Sequence, residues 1–425
     1  MTIDAATRTH KGLHDSLLDV FDQSVDRLDL ATALGREGAL YSFDFHSRHA
    51  GVHPLEDHGS AEPTFRALLR YYLEQSPYSR KHFRELQRHD REVGENLTFR
   101  YSVFAPRTPA TEGFRNAILL LHGLNEKSWR KYLPWAQRLV EETGSPVILF
   151  PIAFHMNRAP AAWANPREMM GVVKERRSLF PGLEASSFVN AALSHRVQFA
   201  PHRFLSSGLQ SYYDVVDLVT ALRRGEHPLF AGETQVHVLG YSMGASLAQL
   251  LTMSDPDRLF RNSRTFLFCG GSVLDQAHPV SRAIIDREAY GGLQRFLHTL
   301  ARDPDAVLGH AGMPGPDHEE IDVLTSLLFT DYRRHVREQA MAAVADRTRI
   351  LTLEKDAVFP PAALRQSWPT TDRPGTTLRH ESLDAPISYS HEEPFPLFAE
   401  DQGAVDALFE EFISRAANHL SPATA

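Results

Sequence analysis

The spacing of apolar residues changes character near residue 96. Before it, Leu13, Leu17, Phe21, Val25 and Leu28 recur every three or four positions in LHDSLLDVFDQSVDRLDLATAL, which predicts an amphipathic helix. FRALLRYYLEQ (65–75) predicts a second. No strand is evident in this part, so residues 1–95 are expected to form a helical N-terminal extension whose apolar stripe is buried on the rest of the chain or in a homo-oligomer. From Asn96 the period shortens. In NLTFRYSVFAP, Leu97, Phe99, Tyr101 and Val103 alternate with more solvent-tolerant positions, as in a half-buried strand. Continuously apolar runs follow at 116–123 (NAILLLHG), 146–152 (PVILFPI), 235–242 (QVHVLGYS), 265–271 (TFLFCGG) and 348–356 (TRILTLEKD). Helical patterns such as YLPWAQRLVEE and LQSYYDVVDLVTALRR lie between them. Apolar strands alternating with helices predict an α/β protein with a mostly parallel sheet flanked by helices over residues 96–420.

The alternation breaks twice, at 155–206 and 273–346. Both stretches are longer than a crossover needs and are expected to be insertions forming a lid above the sheet. Their charges differ. The first holds seven Lys or Arg (Arg158, Arg167, Lys174, Arg176, Arg177, Arg196, Arg203) against Glu168, Glu175 and Glu184, a balance of +4, while the second leans acidic. Two expectations follow: attraction of an anionic substrate part toward Arg158 or Arg203, or salt bridges between the insertions.

Composition narrows the partners. A net charge of -8 and a pI near 6.3 argue against nucleic acid or an anionic membrane surface. The first residues show no signal-peptide core, and no window approaches the length of a spanning helix, which predicts a cytoplasmic protein acting on a small molecule. A single cysteine, Cys269, excludes an internal disulfide and reads as a core residue. His46, His49 and His53 have a spacing that suits a metal on a helix face. Gly51 and Pro54 argue against a helix there, so a rim loop is expected and no metal.

The candidate chemistry sits in VHVLGYSMGASLAQLL (236–251). A serine hydroxyl is a weak nucleophile until its Oγ is held exposed beside a base, with N–H groups aimed at the developing oxyanion. A sharp strand-to-helix turn does this, and glycines two residues on either side leave room for the bend. Gly240 and Gly244 flank Ser242 in that way, after an apolar strand and before a small-residue helix.

With LLLHGLNEKSW (119–129) and GYSMGA (240–245), the chain resembles the α/β-hydrolase superfamily over roughly residues 96–420. The resemblance implies an oxyanion hole from the backbone N–H groups of Leu124 and Met243, a loop-shaping place for His122, and the order nucleophile, acid, histidine. Asp356, at the end of the strand RILTLEKD, fits the acid, and His391, in the loop ISYSHEEPFPLF, fits the base. Asp275, after the preceding strand, is the alternative acid; His380 lies inside an expected strand. His155, Asn157 and Arg158, just past a strand end, are expected to touch substrate. Met156, Met169, Met170, Trp163, Phe154 and Phe180 are expected either to line an apolar pocket or to form the insertion's own core. The reaction expected is hydrolysis of an acyl ester with no cofactor. Acyl transfer or thioester cleavage by the same residues is one alternative, and ligand binding without turnover is another.

Overall fold

The structure, a computed structural model, describes residues 9–50, 90–107, 112–302, 319–368 and 378–421. The helix expected over 65–75 lies outside them, as does His53. Among the described residues nine strands form one sheet: β1 (Arg27–Asp29), β2 (Ala39–His46), β3 (Thr98–Ala105), β4 (Phe114–Leu121), β5 (Val147–Leu149), β6 (Phe230–Tyr241), β7 (Thr265–Phe268), β8 (Thr348–Leu353) and β9 (Arg379–Leu383). Their spatial order is β1-β2-β3-β5-β4-β6-β7-β8-β9. The first three strands pair antiparallel, as does β3 with β5, and every pairing from β5 to β9 is parallel.

The parallel strands are apolar throughout because both their faces are covered. Ile118 and Leu120 of β4 join a cluster with Trp135, Phe268 and Phe412 on one face. Leu119 and Leu121 join Tyr212, Val215 and Leu251 on the other. The helices that build these layers and the insertions are, in chain order, α1 (His10–Val20), α2 (Leu133–Thr143), α3 (Pro166–Leu179), α4 (Ala191–Phe199), α5 (His202–Arg223), α6 (Met243–Ser254), α7 (Arg287–Arg302), α8 (Glu319–Ser326), α9 (Arg334–Ala342) and α10 (Gln402–Leu420). Helices α1, α2 and α10 cover the first face, and α5 and α6 the second. This is the mostly parallel sheet flanked by helices that the sequence predicts.

The expectation of a strand-free helical segment before residue 96 is corrected. Helix α1 stops at Val20 because Phe21 is extended and the Asp22 carboxylate accepts from Ser24 N at 2.8 Å, a local bond that competes with helix continuation. Val25 is exposed, and Leu28 lies in β1. Strand β2 then pairs along its whole length with β3, Ala39 opposite Ala105 through to His46 opposite Thr98. His46 is therefore a strand residue, whose Nδ1 lies 3.0 Å from Thr98 Oγ1, and not part of a rim loop. The apolar stripe is short but real. Leu13 and Leu17 are buried among residues of α2 and α10, and the backbone N–H of His10 donates to Asp406 Oδ1 at 2.8 Å.

A chain beginning at Asn96 should consequently be insoluble or unfolded, since removing β2 exposes the ladder of β3 and uncovers Phe104. Soluble yield and circular dichroism check this. A cooperative thermal transition equal to that of the full chain would contradict it.

The two stretches taken as insertions pack on one another. Leu193 and Val197 of α4 meet Ala289, Leu293 and Leu297 of α7 in one apolar cluster. Arg176 of α3 and Asp286 form a fully buried bidentate pair, with Nε–Oδ2 at 2.8 Å and Nη2–Oδ1 at 2.7 Å. Arg287 pairs with Glu184 across the same boundary. Helices α8 and α9 continue onto α6.

Candidate active site

Strand β6 ends at Tyr241 and α6 begins at Met243, leaving Ser242 at the turn with φ 57° and ψ -122°. A non-glycine residue held at positive φ costs about 1–3 kcal/mol and persists only where its surroundings enforce it. The enforcement is visible in two glycines. A Cβ on Gly240 would lie 2.5 Å from the carbonyl oxygen of Gly244, and one on Gly244 would lie 2.2 Å from that of Leu121. The start of α6 is thus pressed onto the ends of β4 and β6 at a distance no side chain permits.

The hydroxyl of Ser242 donates to His391 Nε2 at 2.7 Å, and His391 Nδ1–H donates to Asp356 Oδ2 at 2.8 Å. The other carboxylate oxygen, Oδ1, accepts from the backbone N–H groups of Val358 and Phe359, both at 2.8 Å. Those bonds fix the carboxylate just beyond β8. All three residues are buried, at 4 %, 2 % and 3 % exposure for Ser242, Asp356 and His391. Asp275, the alternative acid, has both oxygens engaged elsewhere: Oδ2 accepts from Thr330 N at 3.0 Å and Oδ1 from Thr330 Oγ1 at 2.9 Å. His380 lies in β9 beside Thr352, 2.9 Å from its hydroxyl.

Tyr241 supports the histidine and was not singled out from the sequence. Its ring stacks on that of His391 at 5.4 Å and 14°, and its hydroxyl donates to the His391 backbone carbonyl. Position 241 reads as strand core in the sequence, and only the fold brings residue 391 beside it.

Leu124 and Met243 lie together next to Ser242. Met243 is the first residue of α6, so its N–H has no partner within the helix. A Cβ on Gly123 would stand 3.2 Å from Ser242 Cβ, so the segment 123–124 rests against the serine turn. Two histidines shape that segment. His122 Nδ1–H donates to Gly123 O at 2.9 Å while Nε2 accepts from Ile152 N at 2.9 Å. His155 Nδ1–H donates to Ala153 O at 2.9 Å and Nε2 accepts from Asn125 N at 2.8 Å. Burial lowers both to a pKa of about 3, which keeps them neutral and leaves each ring able to accept as well as donate. Asn125, at φ 63°, completes the frame by donating from Nδ2 to Val189 O at 3.1 Å and Ala283 O at 2.6 Å, one in each insertion. The sequence carries no sign of that role.

Most of the side chains expected to touch substrate are engaged within the protein. Arg158 is fully buried with its guanidinium on Asp214 Oδ2 at 2.7 Å, Pro151 O at 3.0 Å and Asn96 O at 3.3 Å. Asn157 is exposed and donates to Arg100 O at 2.7 Å. His155 contributes a ring wall, its nitrogens being engaged by backbone. Met156 packs in the sheet core, while Trp163, Phe154 and Met169 form a small core of the insertion with Val172 and Val173. Met170 is exposed, and Phe180 lies under the Arg176 guanidinium, 5.6 Å from ring centroid to Cζ. Four of the first insertion's seven basic side chains, Arg158, Arg176, Arg196 and Arg203, are buried, while Arg167, Lys174 and Arg177 are exposed. Arg196 holds Asp90 bidentately at 2.7 and 2.6 Å, and Arg203 stands 3.7 Å from the same carboxylate.

Two apolar lobes adjoin beside the serine turn, and Ser242 itself lines the smaller. The larger, with an empty volume of about 1060 Å³ including its open mouth, runs between α5 and α6 under α4 and α7. The smaller, about 400 Å³, is bounded by Ser242, Ile284, Ile285, Leu293, Val358 and Phe359. Leu124, Phe204, Met243 and Leu274 belong to both. Cys269, at the end of β7, is buried in the core, where burial pushes its thiol pKa well up. His49 Nε2 lies 2.9 Å from Asp217 Oδ2. Among the described residues no group of three potential metal ligands converges, and no helix is long and apolar enough to cross a membrane.

No curated protein matches the sequence. Among solved structures, an S-formylglutathione hydrolase from Agrobacterium tumefaciens aligns with 12% identity and a TM-score of 0.43, over 91% of this chain and 96% of that one. A hyperthermophilic esterase from the archaeon Pyrobaculum calidifontis gives 13% identity and 0.42, over 77% and 80%. A fluorophosphonate-binding serine hydrolase F from Staphylococcus aureus gives 12% and 0.40, over 90% and 100%. The sequence profile of DUF6051, a family of unknown function, matches residues 9–421, and the chain belongs to that family.

Proposed function

We propose that the protein is a serine hydrolase that cleaves carboxylic esters through an acyl-enzyme. The observation that carries this reading is the continuous chain of hydrogen bonds from Ser242 Oγ to His391 to Asp356, at 2.7 and 2.8 Å. His391 Nε2 takes the hydroxyl proton as Oγ bonds to the carbonyl carbon, and the carbonyl electron pair moves onto oxygen. The backbone N–H groups of Leu124 and Met243 hold that oxyanion, with the N-terminal end of α6 adding its positive dipole. When the oxyanion collapses, the carbon–oxygen bond to the leaving group breaks and His391 Nε2–H protonates the departing alcohol. A water then gives its proton to His391 and attacks the acyl-serine, releasing the acid and restoring the hydroxyl. Asp356 keeps the Nδ1–H tautomer in place and stabilises the imidazolium formed in each half-reaction. Each step draws on the chain's own groups and on water.

An active-site-directed fluorophosphonate should label the native protein once, at Ser242, as read by mass spectrometry of the modified peptide. Labelling at another serine, or none, would overturn the proposal.

A further inference from the structure

The two lobes are not equivalent with respect to His391. The smaller includes Val358 and Phe359, whose N–H groups hold Asp356, and the Phe359 ring lies 5.7 Å from that of His391. The larger contains none of these residues and begins beyond Leu124 and Met243. The leaving oxygen must lie within reach of His391 Nε2 to be protonated, and the acyl group must stay behind on Ser242. Resting on the serine hydrolase reading, we propose that the lobes divide the substrate: a long aliphatic acyl chain occupies the larger one and a small apolar leaving group the smaller.

The larger lobe suits such a chain in shape and chemistry. From α6 it is lined by Met243, Ser246, Leu247 and Leu250, spaced as one helical face. Two turns from Met243 to Leu250 measure about 10 Å, the reach of an extended acyl chain of about eight carbons. Opposite stand Phe204, Leu205 and Leu209 of α5, with Leu324, Leu327 and Leu328 at and beyond α8. Gly208 adds a second observation. It lies within the 22-residue helix α5, where glycine costs about 1 kcal/mol relative to alanine, it lines the lobe, and a Cβ built on it would meet no atom of the described residues within 4 Å. Gly208 is exposed as well as lobe-lining, so it stands at the open mouth, where a larger side chain would narrow the entrance.

The test uses the full chain with two ester series. In p-nitrophenyl esters of straight-chain acids, kcat/KM should rise about fourfold for each added methylene until the lobe is filled near eight carbons. In butanoate esters of straight-chain alcohols the rise should stop within the first few carbons. Gly208→Leu, which raises helix propensity, should shorten the optimal acyl chain and reduce octanoate turnover at least tenfold more than acetate turnover, leaving the ranking of alcohols as it was. Labelling of Ser242 by a small fluorophosphonate reports that the variant is folded. Labelled protein with a flat acyl series, or with the Gly208→Leu effect falling on the alcohol series, would overturn the division while leaving the hydrolase reading intact. Neither labelling nor turnover of any ester would overturn both.

Discussion

Ser242→Ala should lower kcat on any ester the native chain cleaves by about six orders of magnitude, to the level supported by binding and the oxyanion donors alone. The size of the loss follows from the way the three groups act as a unit. Without Oγ there is no covalent intermediate, and His391 has no proton to take at the point of attack. The fold has little reason to change, because removing one buried oxygen leaves the backbone bonds of the turn, Ser242 N to Phe268 O at 3.1 Å and Ala245 N to residue 242 O at 2.9 Å, in place. Single-turnover kinetics on an activated ester, with the thermal midpoint as control, measures this. Activity within tenfold of the native protein at an unchanged midpoint would remove Ser242 from the chemistry.

Asp356→Asn is expected to cost about four orders of magnitude in turnover, by the logic established for serine proteases. Oδ1 is held by the N–H groups of Val358 and Phe359, so an asparagine keeps its carbonyl oxygen on those donors and turns its amide N–H₂ toward His391. The ring must then accept at Nδ1 and carry its proton on Nε2, where it can no longer receive the proton of Ser242. Asp275→Asn should change turnover less than tenfold, because that carboxylate ties its loop to Thr330. Comparing kcat for the two variants on one ester decides between the acids. The reverse ranking would move the acid to residue 275.

What the sequence made legible are features whose cause is local. A strand covered on both faces is apolar at every position, so β4, β6, β7 and β8 stand out, and a turn as tight as the one at Ser242 needs Gly240 and Gly244. Asp356 and His391 follow from the order that the superfamily resemblance implies, and the structure brings their side chains to Ser242. Strand β2 has the alternation of a half-buried strand, Tyr41, Phe43 and Phe45 against Ser42, Asp44 and His46, but its partner β3 lies more than 50 residues further on. Arg158 illustrates a harder limit, because its fate depends on Asp214, which α5 carries 56 residues further along. The larger lobe was missed for the same reason. Its leucines come from seven separate segments and, within each helix, are indistinguishable from ordinary core positions.

The contact of α1 with α10 has a consequence for the order of events during folding. Leu13 and Leu17 share one apolar cluster with Phe409, Phe412 and Leu420, so the first described helix cannot bury its stripe against the last until some 400 residues have been made. Loop closure over that span is entropically slow compared with forming the central parallel strands and their helices. The face covered by α2 alone therefore stays partly open while the chain emerges. His391 precedes α10, and the cluster holding Phe395 next to it closes only when α10 docks. Assembly of the serine site is thereby delayed to the final stage, and a nascent chain has Ser242 in place long before His391 can reach it.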